Sequence, residues 1–140
     1  MQCRFKYITL VALLFGFLAT PLAMKAGDVK LIRTIEKAFT SWPSQKVDIK
    51  NKYGNVHITS GNSSRITLKV TIIAKGRTEA IAQRLIDEVD IRTNNSRDYL
   101  KVSTETPRNP SMKLGDMGLS VRYELAIPRS NPLNIYNKFG

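Results

Sequence analysis

The chain has 140 residues, of which 42% are hydrophobic and 24% are charged, a balance that is typical of a folded globular protein. Its 22 lysines and arginines exceed its 11 aspartates and glutamates, so the formal net charge is +11. Cys3 and His57 are the single cysteine and the single histidine, which excludes an internal disulfide and a zinc site built from Cys and His. At this length one domain is expected.

Residues 1–26 have the layout of a secretory signal peptide. A basic start, with Arg4 and Lys6, precedes an apolar run over residues 7–19. This run is shorter than the roughly 20 apolar residues of a membrane-spanning helix. We therefore expect export, cleavage after Ala26 and no transmembrane helix in the mature chain, with an uncleaved anchor as the alternative.

Cleavage at this point changes the composition of the mature chain. It removes three basic residues and no acid, so the mature net charge is +8. It also removes the cysteine, so the core must be stable without disulfides. We predict a lead-in segment at residues 27–39, where Leu31, Ile35 and Ala38 have helical spacing over too short a stretch to decide its conformation. Residues 40–140 are predicted to form a β domain.

From residue 47 onward, apolar and polar residues alternate, which predicts strands with one buried face. The longest run is Ile66–Ala74, and turn residues such as Gly54-Asn55 and Gly61-Asn62 separate the runs. One apolar and one wet face is typical of antiparallel strands, or of a solenoid wall that is covered on one side. The fold is therefore predicted to be mainly β, either β-solenoid- or β-helix-like or an antiparallel sheet domain.

One helix, at about residues 78–89, is predicted to interrupt the strands. Ile81 and Leu85 belong to an apolar stripe with helical spacing. Thr78 is the expected N-cap, and Glu79 lies in the first turn, where the helix dipole favours an acid. Such a stripe predicts a helix that covers the sheet.

An eight-residue pattern occurs twice, as VDIKNKYG at Val47–Gly54 and as LNIYNKFG at Leu133–Gly140. It predicts a strand that runs into a corner, where Asn and Gly adopt left-handed backbone angles and the aromatic ring packs beneath the turn. We expect its residues to hold the fold together rather than to bind a ligand. These corner residues are Asn51, Lys52, Tyr53, Gly54, Asn137, Lys138, Phe139 and Gly140. After the first corner the sequence continues into a strand, but no strand follows the second corner. We therefore expect that the chain is truncated within the domain at its C-terminus, and the alternative is a domain whose final edge is open.

Lys46–Ser60 (KVDIKNKYGNVHITS), together with Ile66–Ile91 and the closing NKFG, resembles the bacterial putative adhesin family. The resemblance covers residues 39–140. It implies an exported envelope protein with a β-solenoid-like domain, in the periplasm or at the surface of a Gram-negative bacterium. It also implies that the domain extends past the second corner. The family has no catalytic or binding residues to carry over.

The sequence predicts no catalytic residue, no metal ligand and no cofactor. His57 alternates with Val56 and Ile58 and is expected on the wet face, without a nucleophile nearby. The acids Asp87, Glu88 and Asp90 are expected to be solvated rather than to bind a metal. We therefore predict that the protein is not an enzyme.

Five basic residues are candidates for contact with anionic surfaces: Lys46, Lys50, Lys52, Arg65 and Lys69. They are expected to extend along neighbouring strands and to meet anionic envelope glycans or lipids, with solubility as the alternative role of the charge. An envelope protein is the other candidate partner, and export argues against nucleic acid.

The sequence thus predicts an exported, non-catalytic, adhesin-like module for envelope or surface interaction. The alternative is an accessory component of envelope-stress or extracytoplasmic signalling, since members of the resembling family are often encoded beside such systems. A hydrolase that acts on envelope polymers is the third hypothesis.

Overall fold

A computed structural model describes residues 28–106 and 118–139. These residues form eight strands and one helix: β1 Val29–Thr40, β2 Lys46–Lys52, β3 Val56–Gly61, β4 Arg65–Gly76, α1 Glu79–Asp87, β5 Asp90–Asn95, β6 Tyr99–Glu105, β7 Leu119–Pro128 and β8 Leu133–Lys138. In these two ranges no helix has the length and apolar character needed to cross a membrane. The predicted signal peptide and Gly140 lie outside the described residues.

The strands form two four-stranded mixed sheets. Sheet A has the order β1-β4-β7-β3, and sheet B has the order β5-β6-β2-β8. The pairs β1–β4, β4–β7 and β5–β6 are antiparallel, whereas β3–β7, β2–β6 and β2–β8 are parallel. The prediction of a mainly β fold is confirmed, but the pairing is not purely antiparallel and a solenoid is not shown. Alternation of apolar and polar residues is the same for both strand directions, so it did not distinguish them.

Alternate residues of both sheets point into one shared core. Val47 and Ile49 of β2, Val102 of β6, Val70 of β4 and Tyr123 of β7 are all at most 1% exposed. Burying a large apolar side chain in this way contributes about 1.5–3 kcal/mol. Because these residues belong to one cluster, the sheets pack face to face and their outer faces point away from each other.

The helix α1 packs against β4 and β1. Its N-cap is Thr78, whose hydroxyl accepts a hydrogen bond from the backbone N–H of Ile81 at 3.3 Å. Ala82, Leu85 and Ile86 are buried beneath it. The predicted covering helix and its cap are confirmed, with slightly narrower bounds.

Residues 29–40 form a strand, although the spacing of their apolar residues is also compatible with a helix. β1 pairs with β4 along its whole length. Leu31 and Ile35 pack on the core, while Ile32 is 57% exposed on the opposite face. Residues four apart share a face in a strand as well as in a helix, so the partner strand β4 decides the conformation. The predicted lead-in segment therefore contains an edge strand of sheet A.

Candidate functional site

The two copies of the eight-residue pattern lie side by side as parallel strands of sheet B. β2 and β8 pair in register from Val47 opposite Leu133 to Lys52 opposite Lys138. The match continues past the strands, because the backbone N–H of Tyr53 donates to the carbonyl oxygen of Lys138 at 3.0 Å. Each residue of one copy therefore lies beside its equivalent in the other.

The aromatic residue of each copy occupies the turn. Tyr53 and Phe139 have φ angles of 64° and 60°, and their rings stack with centroids 5.5 Å apart and planes 11° apart. The expectation that Asn51, Gly54 or Asn137 adopts the left-handed conformation is wrong, because the aromatic residue does so instead. A left-handed conformation costs a non-glycine residue about 1–2 kcal/mol, and ring stacking helps to offset this cost.

Gly54 is needed for a close approach of two backbones. A Cβ atom at this position would collide with the backbone of Val121, at the start of β7. The preceding residue binds the same segment, since the carbonyl oxygen of Tyr53 accepts a hydrogen bond from the N–H of Val121 at 2.8 Å. The absence of a side chain at Gly54 thus allows the corner to lie directly on β7.

The asparagine of each copy donates to a backbone carbonyl of a neighbouring segment. Asn51 Nδ2 donates to the oxygen of Val121 at 3.1 Å, and Asn137 Nδ2 donates to the oxygen of Gly54 at 2.9 Å. Asn51 is fully buried, whereas Asn137 is exposed. The same kind of link therefore exists once in the core and once at the surface.

The buried asparagine belongs to a polar network that joins β2, β6 and β7. Thr104 Oγ1 donates to Asn51 Oδ1 at 3.1 Å and lies 2.8 Å from the hydroxyl of Tyr123. Since Thr104 has a single hydroxyl proton, Tyr123 donates to Thr104. Burial raises the pKa of Tyr123 to about 12, and the charge of Glu105 raises it further.

The five predicted anion contacts lie on two different sheets. Lys46, Lys50 and Lys52 point outward from β2 in sheet B. Arg65 and Lys69 point outward from β4 in sheet A. The outer faces of the two sheets point away from each other, so the structure brings the first three residues together and separates them from the other two.

We call the outward-facing side chains of β5, β6, β2 and β8 the sheet B face. Arg92, Ser103, Lys50 and Tyr136 lie opposite one another across its four strands. A cavity of about 140 Å³ on this face is lined by Asp48, Lys50, Lys101, Val102, Ser103 and Glu105. The cationic members of the whole sheet B face are Lys46, Lys50, Lys52, Arg92, Lys101 and Lys138. The acidic members of the face are Asp48, Asp90 and Glu105. The face therefore carries an excess of positive charge.

Three members of this face were missed by the sequence analysis: Arg92, Lys101 and Tyr136. The alternation around Lys101, between Leu100 and Val102, already indicates that its side chain points outward. The sequence does not indicate that β6 lies beside β2, since these strands are separated by three strands and a helix along the chain.

The outer face of sheet A also carries an excess of cations, with Lys30, Arg65, Lys69, Lys75 and Arg122 against Glu36 and Glu124. It differs from the sheet B face in its central row. Glu36, Lys69, Glu124 and His57 lie opposite one another across β1, β4, β7 and β3. An open cavity of about 510 Å³ beside this row is also lined by small side chains such as Ala38, Thr67 and Ala126. Because Lys69 lies between two carboxylates, its charge is locally compensated.

The acidic residues and the histidine do not converge. His57 lies opposite Glu124 on sheet A, Asp87 accepts a hydrogen bond from Gln83 Nε2 at 2.9 Å, and Asp90 pairs with Arg92 at 3.6 Å. Within residues 28–106 and 118–139, no three or more His, Cys, Asp or Glu side chains form a group that could hold a metal ion.

No protein-family model and no curated protein matches the chain. Among solved structures, the chain is similar to a putative cell adhesion protein from Clostridium sporogenes ATCC 15579, with a TM-score of 0.38 and 13% sequence identity. The match covers 75% of this chain and 47% of that one, so this chain spans about half the length of its structural neighbour. The fold defines the class of this protein as mainly β, with two mixed sheets and one described helix.

Proposed function

We propose that the protein is an exported, non-catalytic, adhesin-like interaction domain whose sheet B face contacts anionic polymers of the cell envelope. The observation that carries this proposal is the exposed ring of Tyr136 beside Lys50, within a face that has an excess of cationic side chains. The signal-peptide pattern of residues 1–26 supports export. The resemblance of Lys46–Ser60 to adhesin sequences supports the adhesin-like character.

A comparison of two lysines favours sheet B over sheet A as the contact surface. Across the strands, Lys50 has the uncharged neighbours Ser103 and Tyr136. Lys69 instead has a carboxylate on each side. Opposite charges in directly opposed positions attract each other by about 0.2–1 kcal/mol. Lys69 is therefore compensated by its direct neighbours. By contrast, the carboxylates nearest to Lys50, those of Asp48 and Glu105, lie around the adjoining cavity.

The spread of charge over the sheet B face suits an extended polymer. The face has a cavity of about 140 Å³ and adjoins another of about 590 Å³, to which Arg92, Lys101 and Ser103 contribute. Its cations lie on all four strands of the sheet, so a polymer with repeated anionic groups can contact several of them at once. Tyr136 is 55% exposed and offers an apolar ring beside cations, a combination that suits the apolar face of a sugar ring with a nearby anionic group.

The test compares two triple variants that remove the same charge from opposite faces. The first is Lys46→Gln/Lys50→Gln/Lys101→Gln on sheet B, and the control is Arg65→Gln/Lys69→Gln/Lys75→Gln on sheet A. Binding to polygalacturonate is measured by titration calorimetry at low and physiological salt, with neutral dextran as the control polymer. At about 0.5 kcal/mol per exposed contact, the sheet B variant should bind about tenfold more weakly. The control should change by less than about threefold, and salt should weaken binding by the wild type.

Other outcomes would replace the proposal. Equal losses in both triple variants would show that net charge, rather than the sheet B face, attracts the polymer. Salt-insensitive binding of a single envelope protein would favour the accessory signalling role. Release of new reducing ends from the polymer would favour a hydrolase.

A further inference from the structure

We infer that the free edge of β8 is a docking site for an extended peptide strand that carries the chain's own eight-residue pattern and binds parallel to β8. In the described part of the chain, β8 is the last strand of sheet B, and only β2 pairs with it. The inference concerns the edge of sheet B and does not depend on the polymer contact proposed for its face.

The pairing with β2 determines which backbone groups face the open edge. The N–H of Val47 donates to the oxygen of Pro132 at 2.8 Å, and the N–H of Tyr53 donates to that of Lys138 at 3.0 Å. Backbone groups alternate in direction along a strand, so the even-numbered residues of β8 face β2. The odd-numbered residues Leu133, Ile135 and Asn137 therefore direct their N–H and C=O groups to the open edge, which is the arrangement used in β-strand addition.

The side chains at this edge are more apolar than is usual for an unpaired edge strand. Leu133 and Ile135 are 39% and 44% exposed, although their register partners Val47 and Ile49 are fully buried. Phe139 is 67% exposed, with one side of its ring stacked on Tyr53. A further strand would cover this apolar surface, whereas natural edges are usually protected by charge, proline or a bulge.

The contact between β2 and β8 shows what this strand must look like. β2 presents the pattern at its own edge, and that edge is occupied by a parallel strand with the same pattern in register. The edge of β8 repeats the features of that occupied edge, namely the alternating apolar residues, the asparagine and the aromatic residue of the turn. The occupant is therefore a strand with apolar residues at its first and third positions, asparagine at its fifth and an aromatic ring at its seventh. That ring would stack on Phe139 in exchange for the Lys138 ammonium, which lies 4.9 Å from the centroid of the Phe139 ring.

The experiment adds a capped synthetic peptide with the sequence of residues 45–54 (QKVDIKNKYG) to the full chain. Binding is measured by titration calorimetry, and hydrogen exchange of the β8 amides is followed by NMR. The amides of Leu133, Ile135 and Asn137 should exchange at least about tenfold more slowly at saturation, while the even-numbered amides should not change. A peptide with alanine in place of its Asn and Tyr loses a hydrogen bond and a ring stack, so it should bind about tenfold more weakly.

Variants of the full chain test the edge itself. Ile135→Pro removes one outward N–H group without removing a hydrogen bond to β2, so peptide binding should fall at least about tenfold. Ile135→Val keeps the N–H group and is the matched control, with binding within about twofold of the wild type. Thermal unfolding verifies that both variants fold, and if Ile135→Pro does not, Phe139→Ala should weaken binding about fivefold through loss of the stack.

Three results would overturn the inference. The first is unchanged exchange of the odd-numbered amides at high peptide concentration. The second is equal binding of the native and alanine-substituted peptides, which would show that the pattern is not recognised. The third is protection of the same amides by rising protein concentration alone, which would show that a second copy of the chain covers this edge.

Discussion

The two corners of sheet B have the same local geometry in different surroundings. Tyr53 and Phe139 share nearly the same left-handed φ angle, and Asn51 and Asn137 each donate to a backbone carbonyl. Yet Asn51 of the first corner is fully buried, whereas its equivalent in the second corner, Asn137, is exposed. The difference arises because β2 lies between two strands, whereas β8 has one strand partner within residues 28–106 and 118–139. Local sequence thus determines the shape of the corner, and neighbouring strands determine how much the corner contributes to stability.

The largest expected effect is at the glycine of the buried corner. Gly54→Ala places a methyl group against the backbone of Val121, and backbone cannot move aside as a side chain can. We expect the free energy of unfolding to fall by about 3 kcal/mol, measured by urea denaturation. Gly61→Ala is the matched control, because a Cβ atom there meets nothing within 4 Å. A comparable loss in both variants would contradict the close approach at Gly54.

The buried corner should also respond to alkaline pH through its polar network. The pKa of Tyr123 is raised from 10.0 to about 12 in the folded chain, first because of burial. As the pH rises, the unfolded chain loses this proton first, so stability should decrease between about pH 10 and 12, by up to about 2–3 kcal/mol. Urea midpoints measured across this range should decline less steeply in Tyr123→Phe. Tyr136→Phe, at an exposed position, should keep the slope of the wild type, and identical slopes in the two variants would contradict the assignment.

The two asparagines allow the most direct comparison of the corners. Asn51→Ala leaves the buried carbonyl of Val121 and the hydroxyl of Thr104 without this partner, so it should cost about 2 kcal/mol. Asn137→Ala removes an exposed hydrogen bond and should change stability by less than about 0.5 kcal/mol. Both values come from the same urea experiment. If the two losses were equal, burial would not be the source of the difference.

Much of the local structure was predictable because it depends on residues that are close in sequence. The alternation in Ile66–Ala74 predicted a strand with one buried face, and β4 has that pattern. Thr78 was predicted as the helix cap because a hydroxyl there satisfies a backbone N–H group of the first turn. The residue with the left-handed φ was not predictable from propensity, since aromatic residues adopt this conformation rarely and the ring that stacks on Tyr53 belongs to a segment distant in sequence.

The candidate site was only partly predictable. Lys46 and Lys50 lie together as expected, because they are on one strand with the period of two residues. Arg65 and Lys69 have the same period but lie on the other sheet. Lys101 completes the sheet B face from a strand that is distant in sequence, and its neighbours are known only from the register.

The sequence by itself determined the mainly β character, the helix with its cap, and the existence of two equivalent corners. These follow from periodicity and local hydrogen bonding, which act over a few residues. Only the tertiary structure decided that residues 29–40 form a strand, that the basic residues divide between two faces, and that one corner is buried while the other remains at an edge. These outcomes depend on which strands pair across long stretches of chain, and pairing is set by packing of the shared core rather than by any single segment.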